Sequence, residues 1–139
     1  MKLNFDKAQG FVVPAKFYSL LNFELAKAEM PNPNLCALTF NFRDPNYTAD
    51  KGGYHPVELR LEKHNELWQF IYITDFSYQG SSYPELVKEI DVCFETKRVY
   101  SLFGGWLNQR NAKELIKLFI SNFIEYHAMD IYQTKINFR

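Results

Sequence analysis

The sequence predicts an α+β domain, in which an antiparallel sheet of about five strands carries an N-terminal helix and a long C-terminal helix. Three observations predict this class. Short runs alternate apolar and polar residues, as half-buried strands do. Two other segments repeat apolar residues at intervals of three and four, as amphipathic helices do. The order α-β-β-β-(β)-α-β lacks the regular crossover helices of a parallel sheet. A length of 139 residues fits one such domain over residues 1–139.

The first helix is predicted to follow Pro14, because proline is compatible with the first helical turn. Its end is predicted at the segment Pro31-Asn32-Pro33-Asn34, since two prolines in three residues prevent a helix from continuing. Between these points the apolar residues keep helical spacing, namely Phe17, Leu20, Leu21, Leu25 and Ala28.

Three strands are predicted next along the chain. Residues 36–43 and 57–62 each alternate apolar and polar side chains, which predicts strands with one buried face. Residues 67–76 are apolar on both faces, which predicts a strand in the centre of the sheet with helices on at least one side. The second and third of these strands form a predicted antiparallel hairpin.

The following segments are less regular. Residues 85–94 fit both a helix and a strand, and we favour a short strand over residues 90–94. Residues 99–103 are predicted to form a turn or a short helix, closed by a pair of glycines.

The C-terminal elements have clear signatures. Asn111 precedes Glu114 by three residues, which predicts a helix capped by the asparagine, with apolar residues at helical spacing as far as His127. Alternation over residues 132–138 predicts a final strand.

Charge and termini exclude several classes of protein. The chain has 16 basic and 16 acidic residues, so a protein that follows a phosphate backbone or an anionic membrane is disfavoured. Acidic residues dominate residues 75–95 and basic residues dominate 97–117, which indicates either two solvated faces or a bipolar contact surface. The N-terminus does not resemble a signal peptide and no apolar run reaches about 18 residues, so we expect a cytoplasmic protein without a membrane span.

Neither the cysteines nor the histidines form a recognised site. Cys36 and Cys93 lie in apolar runs, and we expect both thiols to be buried and reduced. No catalytic or nucleotide-binding motif is present. A metal site would have to assemble in space from generic residues such as His55 and Asp44, and simple hydrogen bonding is the preferred interpretation. We therefore expect no metal, no cofactor and no catalytic residue.

The segment between the first two strands is the candidate binding surface. It is longer than a hairpin needs, and long ordered loops often carry function. Two interpretations stay open: an internally bonded loop, or a surface for a partner or ligand. Asp75, in the third strand, is expected near a strand end in solvent, the alternative being a buried hydrogen-bonded acid. The candidate residues are Arg43, Asp44, Tyr47, Tyr54, His55, Glu58 and Asp75.

Two runs in this region carry a family resemblance. Asn-Phe-Arg-Asp-Pro at residues 41–45 and Gly-Gly-Tyr-His-Pro-Val-Glu at residues 52–58 resemble the bacterial domain-of-unknown-function family 2787. The resemblance extends from about Leu38 to the last strand. The resemblance implies a small gammaproteobacterial protein of a kind often carried near integrating or conjugative elements. It assigns no catalytic residues to the chain.

Three functions remain as hypotheses from the sequence. The first is a non-catalytic accessory or regulatory module that binds an unknown protein partner or a second copy of itself. The second is a small ligand-binding protein or enzyme with a polar site beneath residues 43–58. The third is a nucleic-acid accessory protein of a mobile element, which the charge balance disfavours.

Overall fold

The computed structural model describes residues 2–29 and 34–139. Within these residues, two helices and seven strands follow one another along the chain. The helices are α1 (Ala15–Lys27) and α2 (Gln109–Ala128), and the strands are β1 (Ala37–Arg43), β2 (Val57–His64), β3 (Leu67–Gln79), β4 (Glu85–Cys93), β5 (Arg98–Ser101), β6 (Gly105–Trp106) and β7 (Gln133–Phe138).

The strands form one antiparallel sheet in the order β6-β5-β4-β3-β2-β1-β7. The prediction of an α+β fold is confirmed, and β3 is the central strand, as its apolar composition predicts. The number of strands is a correction, because the described residues form seven and not about five. The last strand of the chain pairs with the first, so that Phe40 of β1 lies opposite Ile136 of β7.

The second half of the sheet accounts for the difference. Residues 85–93 form a long strand throughout, and residues 98–106 form a tight pair of strands where a turn or short helix is predicted. Strand β4 is only partly buried along most of its length, so its sequence lacks the alternation that marks β1 and β2. Strands β5 and β6 are too short to show any period.

One face of the sheet holds the core. Phe40, Leu59 and Val99 point to this face and are 0% exposed. The two helices cover it, and Phe123 of α2 packs edge-on against Phe17 of α1 and Phe42 of β1. The N-terminal segment completes this layer. Its residue Phe5 forms a β-bridge with Trp68 of β3, close to the point along β3 at which the pairing with β4 ends.

The opposite face of the sheet, here called the open face, contributes no residue to the core cluster of the described chain. Alternation and register place Tyr72, Thr74, Asp91 and Tyr100 on this face in neighbouring strands. One solvated face is ordinary for an antiparallel sheet. Here, however, the half formed by β3 to β6 is rich in aromatic residues.

Both helices begin near the predicted positions. Pro14 is the N-cap of α1, and α1 ends at Lys27, so the proline-rich segment predicted to end it lies beyond it, with residues 31–33 outside the described residues. Asn108, and not Asn111, caps α2, because its side chain accepts a hydrogen bond from the Asn111 backbone at 2.8 Å. Neither described helix has a stretch long and apolar enough to cross a lipid bilayer.

The cysteines are placed differently from the expectation. Cys36 is exposed just before β1, and Cys93 is half-buried at the end of β4; both are free thiols. Register places Cys93 opposite Tyr72, on the open face and not in the core. Successive residues of a strand point to opposite faces, so Cys93 lies on the face opposite to that of its buried neighbour Val92 although the run is apolar.

Candidate functional site

Residues 44–56, here called the loop, connect β1 to β2 and are held by their own hydrogen bonds. Asp44 organises the loop: its Oδ1 accepts from the Asn46 backbone at 2.9 Å and its Oδ2 from the Tyr54 backbone at 3.0 Å. Thr48 and Gly52 exchange both backbone hydrogen bonds. These contacts correspond to the internally bonded interpretation of Asp44, and they fix the positions of the residues that follow.

Glycine is required at the close approach inside this loop. Gly53 has a φ of +139°, and a Cβ there would lie 2.9 Å from Oδ2 of Asp44 and 3.0 Å from Cα of Tyr47. Both the backbone conformation and the space exclude an L side chain. Gly53 therefore allows the loop to pack closely around Asp44.

The loop packs along the end of β3, which extends beyond the start of β2. The Tyr78 backbone donates to Oη of Tyr47 at 3.0 Å, and the rings of the two tyrosines stack at 5.2 Å. The ring of Tyr47 also lies 5.4 Å from that of His55. Tyr47 thus attaches the loop to the sheet and supports the imidazole from one side.

His55, Asp75 and Glu89, here called the His–carboxylate cluster, meet at this end of the sheet. Nδ1 of His55 lies 3.0 Å from Oδ2 of Asp75 and 3.6 Å from Oε2 of Glu89. The other oxygen of Asp75 accepts from the Ile90 backbone at 2.8 Å. The hydrogen bond to Asp75 raises the pKa of His55, the charges of both carboxylates add to this, and partial burial opposes it.

The placement of Asp75 corrects the expectation of a strand end in solvent. Asp75 is only 6% exposed and lies inside β3, because β3 continues for four residues, to Gln79. The alternative, a buried acid held by hydrogen bonds, is the observed state.

A β-bulge brings Glu89 into the cluster. Asp75 pairs with Ile90 while Phe76 pairs with Lys88, so Glu89 is the extra residue on β4. Bulges redirect side chains and are common beside functional sites. The sequence does not show a bulge, so Glu89 could be recognised only as one acid among several in residues 75–95.

The cluster borders a cavity of about 330 Å³, here called the loop cavity, between the loop, the sheet and α2. Small-molecule sites begin at about this size. The polar lining comes from Tyr54, His55, Asp75, Asn122, Tyr126 and Tyr132, and the apolar lining from Val57, Ile90, Leu115, Leu118, Phe119 and Phe123.

Tyrosines form a second wall of the loop cavity. The rings of Tyr54 and Tyr126 are 4.7 Å apart, which joins the loop to α2. Burial is the main cause that raises the pKa of Tyr132, and the nearby Tyr126, Asp44 and Asp75 raise it further. Its hydroxyl therefore stays protonated and can donate a hydrogen bond. Tyr126 and Tyr132 were missed from the sequence, because they lie about seventy residues from the loop.

The remaining predicted site residues do not join the cluster. Glu58 lies on the open face, where it accepts a hydrogen bond from Tyr72 Oη. Burial and this carboxylate raise the pKa of Tyr72. Arg43 is exposed at the end of β1. Of the seven candidates, the structure brings Tyr54, His55 and Asp75 together around the loop cavity, with Asp44 and Tyr47 as supports of the loop.

A larger depression of about 740 Å³ lies between the C-terminal ends of both helices and β7. Three of its polar and charged groups satisfy one another: Oε1 of Glu24 lies 2.7 Å from Nε2 of His127 and 3.3 Å from Nζ of Lys27. We therefore assign these groups to the packing of the helices.

Comparison with known proteins agrees with the resemblance noted in the sequence. The model of a family described as "Protein of unknown function (DUF2787)" matches residues 15–137. No curated protein matches the chain.

Two solved structures are similar over most of the chain. A hypothetical protein from the VSP-II pathogenicity island of Vibrio cholerae is 38% identical, with a TM-score of 0.91 over 99% of this chain and 100% of its own. A conserved hypothetical protein from pathogenicity island VPI-2 of Vibrio cholerae O1 biovar eltor is 32% identical, with a TM-score of 0.77 over 90% of this chain and 94% of its own. The latter is described as sharing structural homology with the human P32 protein.

Proposed function

The chain belongs to the DUF2787 family of proteins of unknown function, and from the geometry of its site we propose that it binds a small organic ligand in the loop cavity. The observation that supports this most is the meeting of His55, Asp75 and three tyrosines at one cavity. Convergent polar groups in a mainly apolar recess, with a shifted pKa among them, are typical of ligand sites.

The lining defines the class of ligand. Leu115, Phe119 and Ile90 offer an apolar wall to the body of the molecule. The imidazole of His55 and the hydroxyl of Tyr132, which line the same cavity, offer hydrogen bonds to a polar group of the ligand. We therefore propose a compact ligand with an apolar body and a single polar end. Among the described residues, the lining holds no serine, threonine, cysteine or lysine that the His55 imidazole could activate as a nucleophile, which favours binding over catalysis.

A fragment screen with a blocked variant tests the proposal. Asn122 lines the loop cavity from α2, and Asn122→Trp places a large ring in it. Ser121→Trp is the matched control, because Ser121 is the neighbouring residue and is exposed. We expect fragments with an aromatic body and one polar group to shift the amide NMR signals of Tyr54, His55 and Phe119 in the wild type and in Ser121→Trp. Asn122→Trp is expected to abolish these shifts.

The absence of any fragment that shifts these signals would contradict the proposal. So would fragments that bind Asn122→Trp as strongly as the wild type. The pathogenicity-island origin of both similar structures supports an accessory role for such a binding protein in a mobile element.

Self-association is a second candidate, and the open face favours it. Arg98 stacks 4.1 Å above the ring of Trp106, which is 55% exposed and meets Tyr100 edge-on. Arginine and aromatic residues are enriched in interfaces. The same face also carries the acids Glu58 and Asp91, so two copies can match charge in a two-fold contact.

Sedimentation equilibrium tests this candidate. We expect a dimer whose dissociation constant rises at least tenfold in Trp106→Ala, whereas the exposed Phe103→Ala leaves it unchanged, since Phe103 lies outside the strands. A wild-type protein that remains monomeric at the highest soluble concentration would exclude self-association through this face.

A further inference from the structure

We propose that the His–carboxylate cluster binds a divalent transition-metal ion, with one imidazole nitrogen and two carboxylate oxygens as ligands. The ligand atoms of His55, Asp75 and Glu89 all lie within 4.8 Å of one another. The inference deepens the proposed function and rests on it, because His55 and Asp75 also line the loop cavity.

The distances between the ligand atoms suit an ion of this class. Nitrogen and oxygen ligands of Zn²⁺ stand at about 2.0–2.2 Å from the metal, so two ligands of a tetrahedral ion are roughly 3.3–3.6 Å apart. Nδ1 of His55 is 3.0 Å from the Asp75 oxygen and 3.6 Å from the Glu89 oxygen. A small outward movement of His55 from Asp75 thus brings the shorter of these two distances into the same range.

Three separate elements hold the ligands in place. His55 ends the loop that Asp44 organises, Asp75 lies in β3, and Glu89 is the bulged residue of β4. The backbone of Ile90 donates to the Asp75 oxygen that does not face His55, and such outer hydrogen bonds orient ligating carboxylates. The bulge interrupts the pairing of β3 with β4 at the point where Glu89 lies beside His55.

Charge and access support the same assignment. With a neutral imidazole the cluster carries two negative charges at side chains that are 8% and 21% exposed, so a divalent cation neutralises them. An imidazole ligand favours Zn²⁺ or Fe²⁺ over Ca²⁺, and the two carboxylate ligands also suit Mn²⁺. Three protein ligands leave further positions for water or for an oxygen atom of a ligand in the loop cavity. The ligand class then narrows to molecules whose polar end is a carboxylate or a similar oxygen donor.

Calorimetric titration of the chelator-treated full chain with Zn²⁺ and Mn²⁺ tests the site. We expect one ion per chain and a dissociation constant raised about 100-fold in Glu89→Gln. Asp75→Asn, which retains an acceptor for the Ile90 backbone, should behave similarly. His64→Ala is the matched control, because Nε2 of the exposed His64 lies 3.7 Å from a single carboxylate, that of Glu62. We expect it to bind as the wild type does.

Visible absorption of the Co²⁺-loaded protein gives a second readout. The d–d bands of a nitrogen- and oxygen-ligated ion should appear in the wild type and in Ser121→Trp, and disappear in His55→Ala. Absence of one-to-one binding, or binding that Glu89→Gln and Asp75→Asn leave unchanged, would overturn the metal site. If fragments bind the loop cavity while no metal binds, the metal site is wrong and the ligand-binding function stands.

Discussion

Oε1 of Glu24 in α1 lies 2.7 Å from Nε2 of His127 in α2, so one buried carboxylate joins two helices that are 103 residues apart at these positions. The Glu24 and His127 side chains are 8% and 17% exposed. Lys27, on the solvent side, adds a second contact to the same oxygen. The relative position of the helices therefore depends on a polar contact as well as on the aromatic core below it.

Loss of this contact should weaken the fold. Replacement of Glu24 with alanine is expected to lower the free energy of unfolding by about 3 kcal/mol, because the mostly buried His127 side chain loses its hydrogen-bond partner. Urea unfolding measures the change. Glu29→Ala, at an exposed acid just after the helix, serves as the control. A Glu24→Ala protein as stable as this control would show that the contact contributes nothing.

The two adjacent glycines of the loop should respond differently to substitution. Gly53→Ala is expected to cost about 3 kcal/mol, because its φ of +139° is strained for alanine and the new Cβ meets Asp44 and Tyr47. Gly52→Ala is expected to cost about 1 kcal/mol, since its φ is +70° and no atom lies within 4 Å of the added Cβ. Chemical unfolding of both variants compares them. Equal costs would mean that the close approach to Asp44 does not determine the loop.

The pH dependence of His55 follows from its carboxylate partners. In the chelator-treated protein, its NMR titration midpoint should lie above the ordinary histidine pKa of 6.5, because the hydrogen bond to Asp75 holds the proton on the ring. The contact stabilises the fold fully below pH 6.5, and this contribution is lost as the pH rises through the folded-state pKa.

Two variants distinguish the contact with Asp75 from the general charge of the loop as the cause of the raised pKa of His55. Asp75→Asn should lower the midpoint of His55, whereas Asp50→Asn, at an exposed acid of the same loop, should leave it in place. A midpoint at or below 6.5 in the wild type would be inconsistent with the observed hydrogen bond.

Substitutions at the start of α2 distinguish the observed N-cap, Asn108, from the predicted one, Asn111. Asn108→Ala is expected to cost about 1 kcal/mol, because the side chain satisfies the Asn111 backbone donor. Asn111→Ala should be neutral or slightly stabilising, since alanine is a better helix former at an exposed helical position. Thermal unfolding of the two variants measures both effects. The reverse order would support the later start of the helix.

The parts of the fold that were predicted correctly are those with a strong local pattern. Alternation in β1 and β2 identified Phe40 and Leu59 as core residues, and proline at position 14 identified the start of α1. Strand β4 could not be assigned firmly from the sequence because it is half-solvated on both faces. Strands β5 and β6 were not predicted because strands of four and two residues are too short to show an alternating pattern.

Only part of the candidate site could be predicted from the sequence, for a related reason. His55 and Asp75 could be named because both stand out as polar groups beside apolar strands. That they touch depends on the pairing of Val57 with Asp75, which sets the end of the loop beside β3. Glu89 depends on a bulge and Tyr132 on the return of the last strand. Both are consequences of long-range pairing, which a local pattern does not contain.

The position of β7 has a consequence for biosynthesis. Strands β1 to β6 each pair with the next strand along the chain and can pair as they leave the ribosome, but the outer edge of β1 pairs with β7, residues 133–138. Until those residues have emerged, the nascent chain presents an unpaired strand that carries Leu38, Phe40 and Phe42. The nascent protein is therefore most exposed to misassociation, and to capture by chaperones, during the translation of its second half.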